Sequence, residues 1–428
     1  MKNGNLEPPS RLSFRRVAIH YIYSFTLTDE SNQIIVPLRA VDDDPPGSGY
    51  GSPPERLSIA SHLELKAESA WEKLPFLEGT FGSHLVRLDP LIRLFPCGAT
   101  CCFKLTISAA GDARVLRDEV VKLLGITRQL EKDTSARSWG GIVWNSPAPA
   151  SLYDLFAGSV NDFCQRASKK GSRVSWLDRE KDLINAKVEA QNPWVVTAAE
   201  VEGKAADAFC SMGDAGDDPA RTKMMRIRKY ERDIVPLVFR SVTSDLVLEP
   251  AYVEPPTSVG IPGLYSVNID ARLFVTLSRR SIFCLCPDLN ANPALYFLPG
   301  LLDLCETVRA RWHTLVMINK YVDKLLPGLR GPKQTRLERR EQLFTVRGML
   351  VSTLEDPTIY IVAGDALSKL YSRLAEIFRL VELKRALIEK MDLVDRIYRD
   401  ARELDWARSM ADDDSPQGAA RIPEVADA

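Results

Sequence analysis

A long apolar stripe near the carboxyl end constrains this chain most. Between residues 366 and 404, large apolar side chains recur at the near-heptad spacing typical of coiled coils. At 1.5 Å per residue a single helix over this range is about 57 Å long, so other long helices, in the same chain or in a second copy, must bury the stripe. We predict that these residues mediate self-association or partner docking: Leu370, Leu374, Ile377, Val381, Ile388, Met391 and Tyr398.

The sequence around the stripe predicts a helical carboxyl-terminal region. Apolar residues at helical spacing predict a further helix over residues 301–326, ended by Pro327-Gly328. On the stripe helix, Asp392 and Asp395 stand four residues before arginines, and such pairs mark its solvent-facing side. We therefore predict a long-helix bundle or arm over residues 301–408, followed by a disordered acidic tail over residues 409–428.

Alternating apolar and polar residues predict a sheet near the amino end. Residues 19–27 alternate with period two, and a second apolar run at 34–38 completes a predicted hairpin. Residues 85–107 contain two more strand-like runs with Gly98 at a turn or bulge, and a capped helix then ends at Gly125. These elements predict an α+β domain over residues 1–130.

The middle of the chain is less regular. Residues 131–233 show little periodicity, apart from a strand at 194–197, and are interpreted as insertion and linker. A second sheet region over residues 234–300 is predicted from short β-favouring runs at 236–239, 246–248, 265–269, 273–277 and 281–286. The predicted fold class is α+β: one or two mixed or antiparallel sheet regions followed by a bundle of long helices. Whether the two regions form one sheet stays open.

Charge and composition exclude several classes of protein. The 428 residues include 56 basic and 57 acidic side chains, so no global field attracts nucleic acid or a membrane. No apolar run approaches the roughly 20 residues of a spanning helix, and the first 20 residues lack the apolar core of a secretory signal. Eight cysteines are too sparse for a disulfide scaffold. We expect a cytoplasmic protein with reduced thiols and no membrane partner.

No catalytic or cofactor motif stands out. The four histidines lie far apart, and none is in the sequence context of a nucleophile. The clusters Cys97-x3-Cys101-Cys102 and Cys284-x-Cys286 lack the spacing of zinc turns and are interpreted as buried thiols. The glycine-rich residues 47–52 lack the third glycine and the following helix of a dinucleotide loop. We predict no catalytic, cofactor-binding or metal-binding residues, while an enzyme with an unfamiliar site stays open.

Two basic runs support an alternative function. Residues 221–232 and 330–347 each carry a local excess of four or five positive charges, which suits phosphate contacts if one face presents them. The alternative is a nucleic-acid-responsive or nucleotide-responsive component of a bacterial defence or regulatory system. Its candidate polyanion-binding residues are Arg228, Lys229, Arg336, Arg339 and Arg340.

The order of the parts resembles the cytoplasmic region of CorA-type magnesium transporters and RMD1-like proteins. The likeness covers residues 234–404, where Tyr360 and Lys369-Leu370-Tyr371 through Tyr398 are similar to the family's stalk. That family follows its stalk with membrane helices and a Gly-Met-Asn signature, whereas here an acidic tail follows and Gly348-Met349 precedes Leu350. The resemblance implies a soluble, oligomer-forming relative without transport, and no metal or pore residue is carried over.

These patterns together predict a function. We expect a non-catalytic cytoplasmic scaffold or interaction protein that binds itself, or another helical protein, through its carboxyl-terminal long helices.

Overall fold

The structure is a computed structural model of the chain. It describes residues 12–28, 34–35, 76–95, 98–109, 113–127, 139–149, 151–167, 185–187, 193–203, 206, 231–239, 265–270, 273–278, 281–290, 294–326 and 365–413. The chain divides into two compact units. The first comprises Met1–Thr314 and Asp356–Phe378, and the second comprises Leu315–Glu355 and Arg379–Ala428.

A mixed sheet forms the centre of the first unit. Its strands are β1 (Ser13–Thr28), β2 (Ile34–Ile35), β3 (Leu77–Phe81), β4 (His84–Phe95), β5 (Gly98–Ser108), β6 (Val115–Leu116), β7 (Val143–Trp144), β8 (Asn185–Lys187), β9 (Trp194–Val201), β10 (Tyr265–Asp270), β11 (Leu273–Leu277) and β12 (Ser281–Cys286). The main path runs β10-β11-β12-β9-β1-β5-β4-β3-β7, and β2, β6 and β8 also pair with β1. Of the pairings described, that between β9 and β12 is parallel and the others are antiparallel.

The helices complete an α+β fold, which confirms that part of the predicted class, whereas the predicted carboxyl-terminal bundle of long helices is not confirmed. They are α1 (Arg117–Leu124), α2 (Leu152–Ala167), α3 (Glu231–Phe239), α4 (Ala294–Leu325), α5 (Asp365–Ile377) and α6 (Leu380–Asp413), with a 3₁₀ turn at Gly125–Thr127. The hairpin of β1 with β2 and the hairpin of β4 with β5 both occur where the alternation predicts them. The two predicted sheet regions form one sheet, because β9 pairs with β1 on one side and with β12 on the other.

One face of the sheet packs against α1 and α2. The Tyr21 hydroxyl donates a hydrogen bond to the Leu123 carbonyl of α1 at 2.8 Å. The ring of Tyr23 stacks on that of Phe156 in α2, with 4.4 Å between centroids. These odd-numbered positions of β1 share one side of the strand, so their aromatic rings form the centre of this core.

The opposite face packs against α4. At the start of β5, Gly98 has φ +147°, and a Cβ atom there would lie 2.5 Å from Thr314 Oγ1 and 3.1 Å from the Ala310 carbonyl oxygen. Only glycine permits this close approach of strand and helix. The Thr100 hydroxyl donates to the Glu306 carboxylate at 3.3 Å, which places a carboxyl group between the sheet and the helix.

Two local predictions are wrong. Residues 236–239 are part of α3 rather than a strand, because a short apolar run fits a buried helix as well as a strand. The interpretation of residues 131–233 as insertion and linker fails for their described parts, since α2 and β9 belong to the core. Both faces of β9 are buried, so it lacks the alternation that marks a half-exposed strand.

The predicted continuous helix over residues 366–404 is also wrong, because Phe378 and Arg379 interrupt it between α5 and α6. Arg379 adopts φ +51°, a left-handed conformation that ends α5, and its carbonyl accepts the Leu383 N–H at 3.0 Å as α6 begins. The Phe378 ring lies 5.2 Å from the Trp194 ring and 6.0 Å from the Trp312 ring, centroid to centroid. Packing of this ring in the first unit therefore fixes the break.

In the second unit, α6 lies beside the last turns of α4. Lys390 Nζ donates to Asn319 Oδ1 at 2.6 Å and to Asp323 Oδ1 at 2.7 Å. Residues 409–413, predicted to start the disordered tail, continue the helix to Asp413, while residues 414–428 lie outside the described residues.

None of the helices in the described part of the chain combines the length and apolarity that crossing a membrane requires.

Candidate functional site

A pocket of about 300 Å³ opens in the first unit between the sheet and the start of α4. Its volume is at the lower end of the range for small-molecule sites. We name it the basic pocket. Apolar side chains, including Leu289, Leu298 and Leu302, form much of its wall. Its polar lining residues are Arg16, His20, Lys104, Thr106 and Asn290.

Strand register brings the floor of the basic pocket together. Even-numbered residues of β1 share the face toward α4, so Ala18 and His20 point the same way. On β5, Thr106 pairs with Ala18 and Lys104 pairs with His20. On β9, Val196 pairs with His20. Residues from three distant segments therefore form one floor.

Arg16 supplies one of the positive charges of the basic pocket. Its Nη2 donates to Asn290 Oδ1 at 2.9 Å and lies 3.9 Å from Glu200 Oε2. The Glu200 carboxylate also meets Arg15 Nη1 at 3.5 Å and is absent from the described lining of the pocket. Arg15 also lies 3.7 Å from the Glu202 carboxylate, so Arg16 shares the buried Glu200 carboxylate with an arginine that has a second acidic partner.

Lys104 supplies the second positive charge. Its side chain is exposed, and among the described residues no carboxylate lies within 4 Å of its ammonium group. Asp89 is its cross-strand neighbour on β4, but the carboxylate of Asp89 accepts a hydrogen bond from Arg87 Nε at 2.7 Å. The ammonium group of Lys104 is therefore available to a ligand.

His20 joins the basic pocket to a more deeply buried group of polar side chains. Burial lowers the pKa of its imidazole to about 3, and the positive charges of Lys104 and Arg93 add to the effect. The ring is therefore neutral at pH 7. Its Nδ1 lies 3.9 Å from the Sγ of Cys102, which is on β5.

Glu306, on α4, is the carboxyl group of this buried cluster. Its Oε2 lies 3.4 Å from Arg93 Nη1, and the same guanidinium also hydrogen-bonds to Asp303. Burial raises the pKa of Glu306 to about 7, although the positive charge of Arg93 and the hydrogen bond from Thr100 oppose the rise. Glu306 therefore changes its charge near neutral pH.

The buried thiols do not form a nucleophilic site. Burial raises the pKa values of Cys102, Cys284 and Cys305 above the usual range, and the thiolate is the reactive form. The contact of Cys102 with His20 joins two neutral groups, which differs from an activated cysteine–histidine pair. Within the described ranges, no three His, Cys, Asp or Glu side chains are placed to hold a metal ion.

The stripe residues on α5 pack within the first unit. Leu370 and Leu374 are fully buried there, and Ile377 is half-buried. Beside them, the Arg311 guanidinium donates to the Tyr371 hydroxyl at 2.9 Å. This half of the predicted association surface is thus used inside its own chain.

The stripe residues on α6 divide between two sides of the helix. Met391 is buried in the second unit and Tyr398 is half-buried. Val381 and Ile388 are 59% and 41% exposed, and Trp406 on the same side is 67% exposed. Part of the predicted stripe therefore points to solvent.

Two short runs of opposite charge follow one another on one side of α6, where Asp395 is half-buried and the other five side chains are exposed. Glu389, Asp392 and Asp395 form an acidic run, and Arg396, Arg399 and Arg402 form the basic run that follows it. At 100° per residue, these six side chains and those of Val381, Ile388 and Trp406 lie within about 140° of the helix circumference. The same arc also contains Lys384, Arg385 and Glu403, whereas the exposed Leu393 and Leu404 lie outside it. We call this surface the arm face; its residues are Val381, Ile388, Glu389, Asp392, Asp395, Arg396, Arg399, Arg402 and Trp406.

The candidate polyanion-binding residues Arg228, Lys229, Arg336, Arg339 and Arg340 lie outside the described residues. The structure therefore leaves the nucleic-acid alternative as a prediction.

Comparisons of the chain with protein families, with curated proteins and with solved structures found no match. The resemblance to CorA-type transporters accordingly stays a prediction.

Sequence reasoning missed the basic pocket. The polar positions Lys104 and Thr106, alternating with apolar ones along β5, were a usable signal of a strand with one polar side. Nothing in the spacing indicated that Arg16 and Asn290, 274 residues apart, would meet across the sheet.

Proposed function

We propose that this protein is a non-catalytic cytoplasmic interaction protein that self-associates through the arm face of α6. The observation that carries the proposal is the order of charges on that face, in which an acidic run precedes a basic run. Such an order is self-complementary when two copies meet antiparallel, as the isologous interface of a twofold dimer requires.

The register of the proposed dimer follows from the charges. With the twofold axis between Asp395 and Arg396, Asp392 faces Arg399 of the second copy and Glu389 faces Arg402 of the second copy. Opposite charges then meet at every step along the two runs, which favours this alignment over others. A parallel pair in register would place like charges opposite one another. The charges therefore select an antiparallel arrangement.

The same register covers exposed apolar surface. Trp406 comes opposite Arg385 of the second copy, where a guanidinium can stack on the indole ring. Ile388 comes opposite Glu403, in the turn between Arg402 and Trp406 of the second copy, where it can contact the aliphatic part of that side chain. Removing these side chains from water adds an attraction that does not depend on salt. Charge sets the alignment, and apolar burial adds affinity.

Reversing the basic run should separate the dimer. We expect the natural chain to have twice the 47.8 kDa mass of one copy by light scattering. A variant with Arg396→Glu, Arg399→Glu and Arg402→Glu should have the single-copy mass, because two acidic runs then face each other. All three side chains are exposed, so the separated chain should stay folded, with a thermal unfolding midpoint lower only by the stabilisation that dimer formation supplies.

The matched control reverses three exposed basic residues of the first unit, with the same change in net charge: Arg87→Glu, Arg114→Glu and Lys122→Glu. This variant should remain dimeric. A natural chain of single-copy mass would contradict self-association, and equal masses for the natural chain and the α6 variant would contradict the arm face. A monomer that forms a stoichiometric complex with a different helical protein would favour docking instead.

A further inference from the structure

The basic pocket has two chemically different parts. Toward β1 and β5 it presents the cations of Arg16 and Lys104, and toward α4 it presents the side chains of Leu298 and Leu302. Among its described lining residues none is acidic. A ligand that satisfies both parts needs a negative group at one end and apolar atoms at the other.

We infer that the basic pocket binds a small organic anion, with a carboxylate or phosphate head group on an apolar body. The head group is held between Lys104 and Arg16, and the apolar body lies against Leu298, Leu302 and Val196. This site is separate from the arm face, because all the residues named belong to the first unit.

The hydrogen-bonding groups of the pocket suit an anionic head group. Asn290 uses its Oδ1 to accept from Arg16, so its Nδ2 amide protons remain to donate to a ligand oxygen. The Thr106 hydroxyl on the neighbouring strand can donate as well. Hydrogen bonds to a charged acceptor are about twice as strong as neutral ones. These donors and the two cations make the polar end selective for an anion.

The volume of the basic pocket and the side chains of its wall determine the size and polarity of the ligand beyond its head group. A volume of about 300 Å³ admits a small molecule and excludes a folded partner or a nucleic-acid strand. The leucine side chains and the small Ala18 and Ala198 offer no partner to a second polar group. An inorganic anion alone would leave these apolar walls in contact with water. The body of the ligand is therefore apolar.

The proposal is tested by equilibrium dialysis of the full chain with four radiolabelled probes: octanoate, hexyl phosphate, octanamide and inorganic phosphate. At least one of the first two should bind at one site per chain. Octanamide, which has nearly the shape of octanoate without its charge, should bind at least tenfold more weakly than octanoate, if octanoate binds. Whichever of the two organic anions binds more tightly shows whether the pocket prefers a carboxylate or a phosphate head group. Inorganic phosphate should bind more weakly than hexyl phosphate, because it cannot use the apolar wall.

Variants locate the site. Lys104→Gln should weaken binding of the organic anion about tenfold, which corresponds to the loss of about 1.4 kcal/mol for one charged contact. Arg16→Gln should also weaken it, whereas Lys122→Gln, an exposed change on α1, should leave affinity unchanged. The proposal would be overturned if neither octanoate nor hexyl phosphate showed saturable binding. So would octanamide binding as tightly as octanoate, or unchanged affinity in Lys104→Gln.

The outcome is independent of the proposed dimer. The variant with the reversed basic run on α6 should bind the organic anion as the natural chain does, because its changes lie in the second unit. If the α6 variant is monomeric and still binds the organic anion, the proposed ligand site stands independently of the dimer. A natural chain that is dimeric but does not bind the organic anion would overturn the proposed ligand site and leave the proposed dimer unaffected.

Discussion

Replacing Arg93 with methionine should lower the free energy of unfolding by about 3 kcal/mol at pH 8, a cost typical of breaking a buried ion pair from one side. Arg93 is the cation beside the buried Glu306 carboxylate, at 3.4 Å. Without it, Glu306 must either keep an unpaired buried charge or take up a proton. At pH 5 the loss should be smaller, because Glu306, with its pKa of about 7, is then already protonated. Guanidinium unfolding at both pH values measures the difference.

A second change should rescue the Arg93 variant. Adding Glu306→Gln to Arg93→Met removes the charge that lost its partner, so most of the stability at pH 8 should return. The control is Arg87→Met, which breaks the exposed pair with Asp89 and should cost less than about 1 kcal/mol. Equal losses for Arg93→Met and Arg87→Met, or no rescue by Glu306→Gln, would contradict a buried ion pair.

Glu306 should also give the fold a pH dependence of about 3 kcal/mol, the free-energy equivalent of its pKa rise. Its pKa is raised from 4.5 to about 7 on folding, so the folded state binds this proton more tightly than the unfolded state does. The resulting stability is fully present below pH 4.5 and is lost as the pH rises through about 7. The Glu306→Gln variant cannot titrate at this position, so its free energy of unfolding should rise relative to that of the natural chain as the pH rises from 4.5 through about 7.

His20 titrates in the opposite direction in an overlapping window. Its pKa is lowered from 6.5 to about 3 on folding, so its contribution is present above pH 6.5 and is lost as the pH falls toward 3. The informative quantity is therefore the difference in unfolding free energy between the natural chain and Glu306→Gln at each pH, in which the His20 contribution cancels. A difference that stays constant from pH 4.5 to pH 8 would show that Glu306 titrates normally.

Local patterns in the sequence predict the local parts of this fold. The strand-like runs of β4 and β5 and the glycine at the start of β5 predict that hairpin, and a Cβ atom at Gly98 would also collide with α4. By contrast, β9 is buried on both faces and pairs in parallel with β12, so it has no alternation to detect. The strand that joins the two predicted sheet regions was therefore interpreted as part of a linker.

The break at Arg379 has a different cause. Arginine has no preference for the left-handed conformation, so no residue type marks the end of α5. The packing of Phe378 against Trp194, 184 residues away along the chain, decides it. Interactions between distant segments overrode a helical pattern that is continuous in the sequence.

The two candidate surfaces were visible in the sequence to different degrees. The basic pocket depends on strand register, which spacing does not show. The charge order of the arm face is present in the sequence, and we interpreted Asp392 and Asp395 as pairs with arginines of their own helix. The structure confirms that Asp392, Arg396 and Arg399 are exposed, whereas Asp395 is half-buried. The exposed charges can serve a second copy equally well.

Mixing two charge-reversed chains tests the proposed antiparallel dimer most directly. The acidic variant carries Arg396→Glu, Arg399→Glu and Arg402→Glu, and the matching basic variant carries Glu389→Arg, Asp392→Arg and Asp395→Arg. Each alone should have the mass of one 47.8 kDa chain by light scattering, whereas an equimolar mixture should have twice that mass, because an all-acidic face then meets an all-basic one. A mixture that keeps the single-chain mass would contradict association through α6.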